Sequence, residues 1–183
     1  MIDKKFVKRL KQGDPKALKK LYDIYAPSLY GLALRYSKNE EEAQDILQEA
    51  FIKVFKYIHT YEEKGKIESW MKKIVINTAI ANFHKQKKHR FQQEISEINE
   101  TNIENFSLSE PEFTMDELLN AIQSLPVGYR TIFNLYAIEG YKHREIAKML
   151  GIDISTSKSQ YHRARKLLQK KLLELKNFKK TNG

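Results

Sequence analysis

Residues 143–165 read HREIAKMLGIDISTSKSQYHRAR, and this stretch decides the fold of the C-terminal half of the chain. Its first eight residues, His143–Leu150, have the apolar spacing of a short amphipathic helix. Gly151 suits the left-handed residue that ends such a helix, and Ser155-Thr156 supplies a capping residue for the next one. The second helix then continues along an inward seam at spacings of three and four: Ser157, Tyr161, Ala164, Leu168, Leu172 and Leu175. A helix, a glycine turn and a longer helix are the layout of a helix-turn-helix.

The outer face of the second helix is strongly basic. Between Ser155 and Lys180 the sequence has nine Lys or Arg residues and a single acidic residue, Glu174. In a recognition helix, the exposed residues of the first half reach base edges and phosphates. Here those residues are Lys158, Ser159, His162 and Arg163. An ordinary helix pair with a solvated basic face is the alternative, but the turn, the seam and the charge together favour DNA binding.

The whole chain is polar, basic and free of cysteine. Its 183 residues include 33 Lys and Arg against 23 Asp and Glu, a formal net charge of +10. The lack of cysteine excludes a disulfide scaffold, a thiol nucleophile and a thiolate metal site. No apolar run approaches the roughly 18 residues of a membrane span, and the N-terminal residues do not resemble a signal peptide. We therefore expect a cytoplasmic protein without membrane insertion.

The charge is divided unevenly along the chain. Segment 91–117 contains eight acidic residues and no Lys or Arg, which leaves a net charge of +18 on the remaining residues. Residues 91–112 have no sustained period and are rich in Glu, Asn and Ser, so they are interpreted as an acidic flexible linker. The sequence therefore predicts two small domains, 1–90 and 113–183. This layout suggests an anionic polymer, most simply nucleic acid, as partner. A solvated lysine-rich surface is the alternative.

The N-terminal domain is also predicted to be helical. Asp14-Pro15 is typical of a helix start, and Pro27 is expected to kink or break that helix. Asn39, followed by three glutamates, caps a helix with the clearest apolar stripe in the chain. A third helix follows the polar loop 62–66 and ends in the basic cluster 84–90. Its inward stripe is predicted to contain Trp70, Met71, Ile74, Val75, Thr78, Ala79 and Phe83. With only 7 Gly and 4 Pro, the composition favours long helices, and the predicted fold class is all-α.

Each predicted domain contains recognisable motifs. In the C-terminal domain they are SLP (124–126), EGYKHREIA (139–147), LGI (150–152) and KSQYHRARK (158–166). In the N-terminal domain they are AQDILQEAFIKVF (43–55), SWMKKI (69–74) and NTA (77–79). In sequence and order these motifs resemble the sigma-70 family of RNA polymerase sigma factors, in its small two-domain extracytoplasmic-function (ECF) group. The motif at 43–55 resembles the polymerase-binding helix, and the next two resemble the promoter-melting and −10-reading helix.

The resemblance implies a polymerase-binding face on the helix with the apolar stripe. Asp45, Gln48 and Glu49 would face the large subunit of core RNA polymerase, with the aromatic residues of this helix behind them as core. An acidic and amide face in a basic chain suits a basic protein partner and repels DNA. The alternative is that Asp45 and Glu49 only solvate the helix.

The resemblance also implies a −10 DNA-binding site around the loop Glu62–Glu68. A base flipped from the opened strand would enter a pocket there, where stacking and hydrogen bonds offset the cost of flipping. Trp70 would be a stacking platform, although a lone Trp on an apolar helix face is more often core, the alternative we favour. The residues implied for −10 contacts are Tyr61, Ile67, Trp70, Asn77, Lys85, Lys87 and Lys88.

The residues implied for −35 contacts are His143, Arg144, Lys158, Ser159, His162, Arg163 and Arg165. Several positions depart from the family pattern. Lys142 stands where a small hydroxyl residue usually caps the helix, and Gln160 replaces a commonly basic residue. Ser157 lies on the inward seam where Val is frequent, so we expect loose packing at the start of the recognition helix.

The sequence thus predicts a sigma factor that binds core RNA polymerase, directs it to promoters through −10 and −35 contacts and assists DNA melting. No catalysis, cofactor, metal or small-molecule substrate is expected. The resemblance adds an anti-sigma factor as a partner, and a linker that threads the polymerase cleft, for which a plain tether is the alternative. A stand-alone helix-turn-helix regulator of duplex operators is the alternative function. A nuclease with scattered carboxylates is a more remote one.

Overall fold

The structure is a computed structural model that describes residues 3–90 and 113–182, with side chains for 3–86 and 113–181. Every regular element in these ranges is helical, so the predicted all-α fold is confirmed. Contacts divide the chain into two compact units, Met1–Asn82 and Phe83–Gly183. The predicted linker, 91–112, lies outside the described residues. The predicted domain boundaries stay predictions.

The N-terminal unit is built on two long helices, α2 and α3, that pack against each other. Its elements are α1 (Lys4–Lys11), α2 (Pro15–Tyr36), α3 (Glu40–Tyr57), a 3-10 turn (Ile58–Thr60) and the first part of α4 (Ile67–Arg90). The side chain of Asp14 accepts a hydrogen bond from the Lys16 amide (2.9 Å), and that of Asn39 accepts one from the Glu42 amide (2.9 Å). Both predicted helix starts are therefore confirmed.

Helix α2 runs unbroken through Pro27, so the break predicted as one of two outcomes does not occur. Ala26 and Leu29, on either side of the proline, are buried. Burial on both sides of the proline, in a helix that packs against α3, offsets the local cost of Pro27 and keeps the helix continuous.

The core of the N-terminal unit follows the predicted apolar stripes. On α3 the buried members of the stripe are Ala43, Ile46, Leu47, Ala50, Phe51 and Val54, whereas Phe55 is half-buried. On α4 the predicted Met71, Val75, Thr78 and Ala79 are buried, and so are Ile76 and Ile80, which the predicted stripe omitted. Helix α4 is thus covered on more of its circumference than a single stripe provides.

The C-terminal unit contains the second group of helices. They are α5 (Met115–Gln123), α6 (Val127–Phe133), which continues into a π-helical turn (Asn134–Ile138), α7 (His143–Leu150) and α8 (Ile154–Asn182). A reciprocal pair of hydrogen bonds between Thr114 and Glu117 opens α5. In the SLP motif, Ser124 ends α5, Leu125 is buried and Pro126 precedes α6.

The turn between α7 and α8 has the predicted glycine geometry. Gly151 has φ 61° and ψ 45°, and the Ile152 amide donates to the Ala147 carbonyl (3.1 Å). Helix α8 begins at Ile154, before the expected cap. Because the Asp153 carbonyl already accepts from the Ser157 amide (3.0 Å), Ser155 and Thr156 lie in the first turn, and their prediction as caps was wrong.

A buried arginine, Arg130, connects α6 to the end of α5. Its guanidinium donates to the carbonyl oxygens of Gln123 (2.7 Å) and Leu125 (3.2 Å). These carbonyls lie at the end of α5 and in the following turn, where helical hydrogen bonds run out. Arg130 therefore fixes the α5–α6 connection, a role that the sequence pattern did not indicate.

Arg130→Met is expected to lower the free energy of unfolding by about 2 kcal/mol or more, because two buried carbonyls lose a charged donor. Urea denaturation followed by circular dichroism measures the loss. Lys148→Met removes an exposed charge from α7 in the same unit and serves as the matched control. A loss for Arg130→Met no larger than the control's would contradict the role of the guanidinium.

Candidate nucleic-acid interface

A cavity of about 370 Å³ lies between the start of α4 and the loop that precedes it. This volume falls in the range of pockets that hold small ligands, about 300–1,000 Å³. The loop side contributes Thr60, Tyr61, Glu62, Lys64, Gly65 and Lys66, and the helix side contributes Ser69, Trp70 and Lys73. The wall therefore combines two aromatic residues with three lysines and one glutamate, Glu62, which pairs with Lys64 (2.9 Å). The remaining positive charge and the aromatic residues suit an anionic ligand that carries a flat ring.

Tyr61 and Trp70 form the aromatic part of the wall. Their ring centroids lie 5.6 Å apart, and the Tyr61 hydroxyl donates to the Gly65 carbonyl (2.6 Å) across the loop. Tyr61 is buried and Trp70 is half-buried. Trp70 thus borders the cavity while it also packs against Tyr61, and its role as a stacking platform stays a prediction.

The other residues predicted for −10 contacts lie outside the cavity wall. Ile67 is only 4% exposed and belongs to the core beneath the loop. Asn77 is exposed two turns after Trp70, on the same face of α4, and Lys85 is exposed further along the helix. The side chains of Lys87 and Lys88 lie outside the described residues.

The outward face of α3 presents polar groups together with one apolar side chain. Asp45 and Gln48 are exposed, as predicted for a partner-binding face. Glu49 pairs with Lys53 (2.8 Å), whose ammonium also donates to the Thr78 hydroxyl of α4 (3.1 Å). Ile52 lies on the same face, seven residues after Asp45, and is 61% exposed. Ile52 was not among the residues predicted for this face, although its spacing from Asp45 places it there.

The outer face of the helix-turn-helix presents the predicted cations. Arg144 on α7 is exposed, and so are five residues of α8: Lys158, Ser159, His162, Arg163 and Arg165. The Ser159 hydroxyl donates to the Thr156 carbonyl (3.1 Å), and the Arg165 guanidinium lies 6.0 Å from the centre of the Tyr161 ring. Six of the seven residues predicted for −35 contacts therefore share this solvent-facing surface.

His143 is the exception, because its ring is engaged within the unit. It stacks on Tyr136 with a centroid distance of 4.2 Å and meets the edge of Tyr161 at 5.8 Å. Its Nδ1 lies 2.9 Å from the hydroxyl of Ser157, which is fully buried. The small serine on the seam is thus held by a polar contact where the sequence led us to expect loose packing.

Burial lowers the pKa of His143 below its ordinary value, and the nearby positive charge of Lys158 lowers it further. A neutral imidazole is therefore favoured in the folded unit. Because the ring contacts residues before α7 and on α8, its protonation state bears on how α7 and α8 are held together.

The described residues, 3–90 and 113–182, contain neither a membrane-spanning helix nor a metal site. None of their helices is long and apolar enough to cross a bilayer. No group of three or more His, Asp or Glu side chains there is arranged to hold a metal ion.

The described residues form two all-helical units. One contains a cavity lined by aromatic residues and lysines, and the other contains a helix-turn-helix with a basic outer face. Residues 21–89 match the family model described as Sigma-70 region 2, and residues 115–168 match the one described as Sigma-70, region 4. The chain belongs to the sigma-70 family of RNA polymerase sigma factors, in its ECF group.

Curated relatives agree with this assignment. The ECF RNA polymerase sigma factor SigW of Bacillus subtilis is 33% identical, over 96% of this chain and 99% of the relative. The RNA polymerase sigma-H factor of Pseudomonas aeruginosa is 30% identical, over 94% and 95%. The fold is similar to that of the sigma factor RpoE in complex with the anti-sigma factor NepR from Bartonella quintana. That match has a TM-score of 0.52 and 22% identity, and covers 86% of this chain and 97% of that one.

The lowered pKa of His143 predicts a pH-dependent stability. A histidine whose pKa is lower in the folded state stabilises the fold above about pH 6.5, and this stability is lost as the pH falls toward the folded pKa. The melting temperature of His143→Gln should therefore lie below the wild-type value at about pH 8, with a gap that narrows toward about pH 5.5. The control is Ser155→Ala on α8, which changes an exposed side chain that does not titrate, so its gap should not change with pH. A gap for His143→Gln that is constant or widens would contradict the assignment.

Proposed function

We propose that this sigma factor works through three surfaces: the exposed face of α3 for core RNA polymerase, the cavity before α4 for a base of the opened −10 strand, and the outer face of α7 and α8 for the −35 duplex. The observation that carries the proposal is the cavity, because a duplex-binding regulator has no need for an aromatic, lysine-lined pocket the size of a small ligand.

The chemistry of the cavity suits a base extruded from single-stranded DNA. A base that leaves the duplex loses its stacking partners, and the half-buried ring of Trp70, which packs against the buried Tyr61, offers a replacement. Lys66 and Lys73 line the same cavity and suit the flanking phosphates, whereas the Lys64 ammonium pairs with Glu62 (2.9 Å). Binding of the base in this position holds the strands apart, which is how the factor assists melting.

The outer face of the helix-turn-helix suits duplex DNA. Lys158, His162 and Arg163 are exposed on the first half of α8, the part of a recognition helix that reaches base edges. Arg144 and Arg165, which are also exposed, would bind phosphates. His143 supports this surface from within, since its ring packs against Tyr136 and Tyr161.

The exposed face of α3 suits a protein partner with both basic and apolar groups. Asp45 and Gln48 supply acceptors, and Ile52 supplies an apolar side chain of the kind that anchors interfaces when it is surrounded by polar groups. Removing the exposed part of Ile52 from water adds affinity that a purely acidic face does not provide.

The factor itself is not an enzyme: it recruits and positions the polymerase, which carries out the chemistry. Because the polymerase and the chromosome lie in the bacterial cytoplasm, it acts there. The solved relatives include a sigma factor bound to the anti-sigma factor NepR and CnrH bound to the cytosolic domain of CnrY. We extend a protein partner of this kind to this chain, where it would compete with core polymerase.

Reconstituted transcription tests the function and the −35 surface together. With core RNA polymerase, the chain should give run-off transcripts from a subset of promoters, whereas alone it should bind duplex DNA poorly. Arg163→Ala should reduce transcription from promoters that depend on the −35 element by about fivefold or more. On templates whose −35 element is replaced, the variant and the wild type should be equally active. Tight duplex binding by the free chain, with no transcript from any promoter, would overturn the proposal in favour of a stand-alone regulator.

The polymerase-binding face has its own test. The double variant Asp45→Ala/Gln48→Ala should weaken binding to core RNA polymerase by about tenfold or more, because two acceptors at the centre of the face are removed. The melting temperature should not change, since both side chains are exposed. Glu174→Ala removes an exposed carboxylate from α8 and controls for net charge. Affinity equal to that of the control would refute the assignment of this face.

A further inference from the structure

Helix α1 lies outside the part of the chain that the family model covers, because the match to Sigma-70 region 2 begins at residue 21. The helix is nevertheless an integral part of the N-terminal unit. Val7 and Leu10 are buried, and α1 contacts both α2 and the 3-10 turn Ile58–Thr60. That turn leads directly into the loop of the cavity, so α1 supports the point from which the loop departs.

The last residue of α1 also reaches the loop itself. The Lys11 ammonium pairs with the Glu63 carboxylate at 3.2 Å, across 52 positions of sequence. Neither group is fully exposed, since the side chain of Lys11 is 31% accessible and that of Glu63 is 39% accessible. Glu63 does not line the cavity, whereas its neighbours Glu62 and Lys64 do. The pair therefore holds the loop from outside while the adjacent residues form the wall.

Glu63 occupies a backbone conformation that is unfavourable on its own. Its φ is +60°, and it is the one non-glycine residue with positive φ in the described part of the chain. Such a conformation persists when surrounding contacts impose it. The contacts here are the ion pair to Lys11 on one side and the hydrogen bond from Tyr61 to the Gly65 carbonyl on the other. Gly65, with φ +105°, has the freedom that its position in the loop requires.

We infer that α1 is a strut for the −10 pocket: through the ion pair, Lys11 and Glu63 are positioning residues that keep the loop in the shape that accepts a base. This inference rests on the proposed function of the cavity. It assigns a role in promoter recognition to a segment outside the matched regions, and to two residues that do not touch the base.

A direct contact between Lys11 and a DNA phosphate would be a different role, and charge separates the two. If Glu63 acted on DNA only through its own charge, its removal would strengthen binding, because an anion would leave the neighbourhood of a polyanion. The strut requires the opposite, since loss of Glu63 releases the loop just as loss of Lys11 does. Glu63→Gln should therefore strengthen DNA binding if Glu63 acts only through its charge, and weaken it if Glu63 holds the loop.

The experiment measures how strongly the holoenzyme, formed from the full chain and core polymerase, holds a single base. Fluorescence anisotropy gives the dissociation constants for a single-stranded −10 oligonucleotide from a promoter that the holoenzyme transcribes, and for versions with an abasic site at each position in turn. For the wild type, an abasic site at one position should weaken binding by about tenfold, the contribution of one stacked base. This ratio of abasic to intact dissociation constants measures occupancy of the pocket.

Lys11→Met and Glu63→Gln should each reduce that ratio by about two- to fivefold, the size expected for a partly exposed ion pair, and the double variant should reduce it no further than either single variant. The dissociation constants of the abasic oligonucleotide and of core polymerase should not change. Lys8→Met, which removes another lysine from the last turn of α1, should behave as the wild type.

Three results would overturn the inference. The first is that both variants keep the wild-type ratio at the sensitive position. This result would refute the role of the ion pair but not the proposed pocket. The second is weaker binding of abasic and intact oligonucleotides alike in Lys11→Met, which would indicate a phosphate contact. The third is tighter binding by Glu63→Gln. If no abasic position weakens binding by the wild type, the proposed use of the cavity fails as well.

Discussion

The N-terminal unit depends on the burial of the α3 stripe against α2. Residues such as Leu21, Leu29, Ala43 and Val54 are almost fully withdrawn from water, and each large apolar side chain buried in this way stabilises the fold by about 1.5–3 kcal/mol. Because this contact fixes the rotation of α3, it also decides which residues remain outside. Asp45, Gln48 and Ile52 form a surface because their neighbours in sequence form the core.

The helix-turn-helix follows the same logic with a polar element added. Burial of Ile146, Leu150 and Ala164 orients α7 and α8, and Gly151 permits the sharp turn between them. The seam position Ser157 is filled by a contact with His143, whose ring packs against two tyrosines. An apolar residue at 157 would leave the imidazole without this partner. The serine and the histidine therefore form a matched pair, and neither is explained by itself.

Much of the fold could be predicted from the sequence, because helix starts and apolar periodicity are local. Asp14, Asn39 and Gly151 act through backbone contacts within a few residues, and the motifs identified the family. The other features of the fold and of the site depend on contacts between residues that are far apart in the sequence. The cavity needs a loop and a helix brought together, Arg130 is buried because two carbonyls need a donor, and Lys11 meets Glu63 across 52 positions. Ile67 and His143 carry the residue types of a binding site, but tertiary packing draws them inward.

If the cations on the outer face of α7 and α8 bind promoter DNA as proposed, the affinity of that binding depends on the salt concentration. Each phosphate neutralised by Arg144, Lys158, Arg163 or Arg165 releases condensed counterions, and each such contact steepens the logarithmic dependence of affinity on salt by about 0.9. Four such contacts would make the affinity fall with about the 3.6th power of the salt concentration. In the proposed function, promoters with weak base contacts would then lose the factor first when osmotic stress raises the potassium concentration of the cell.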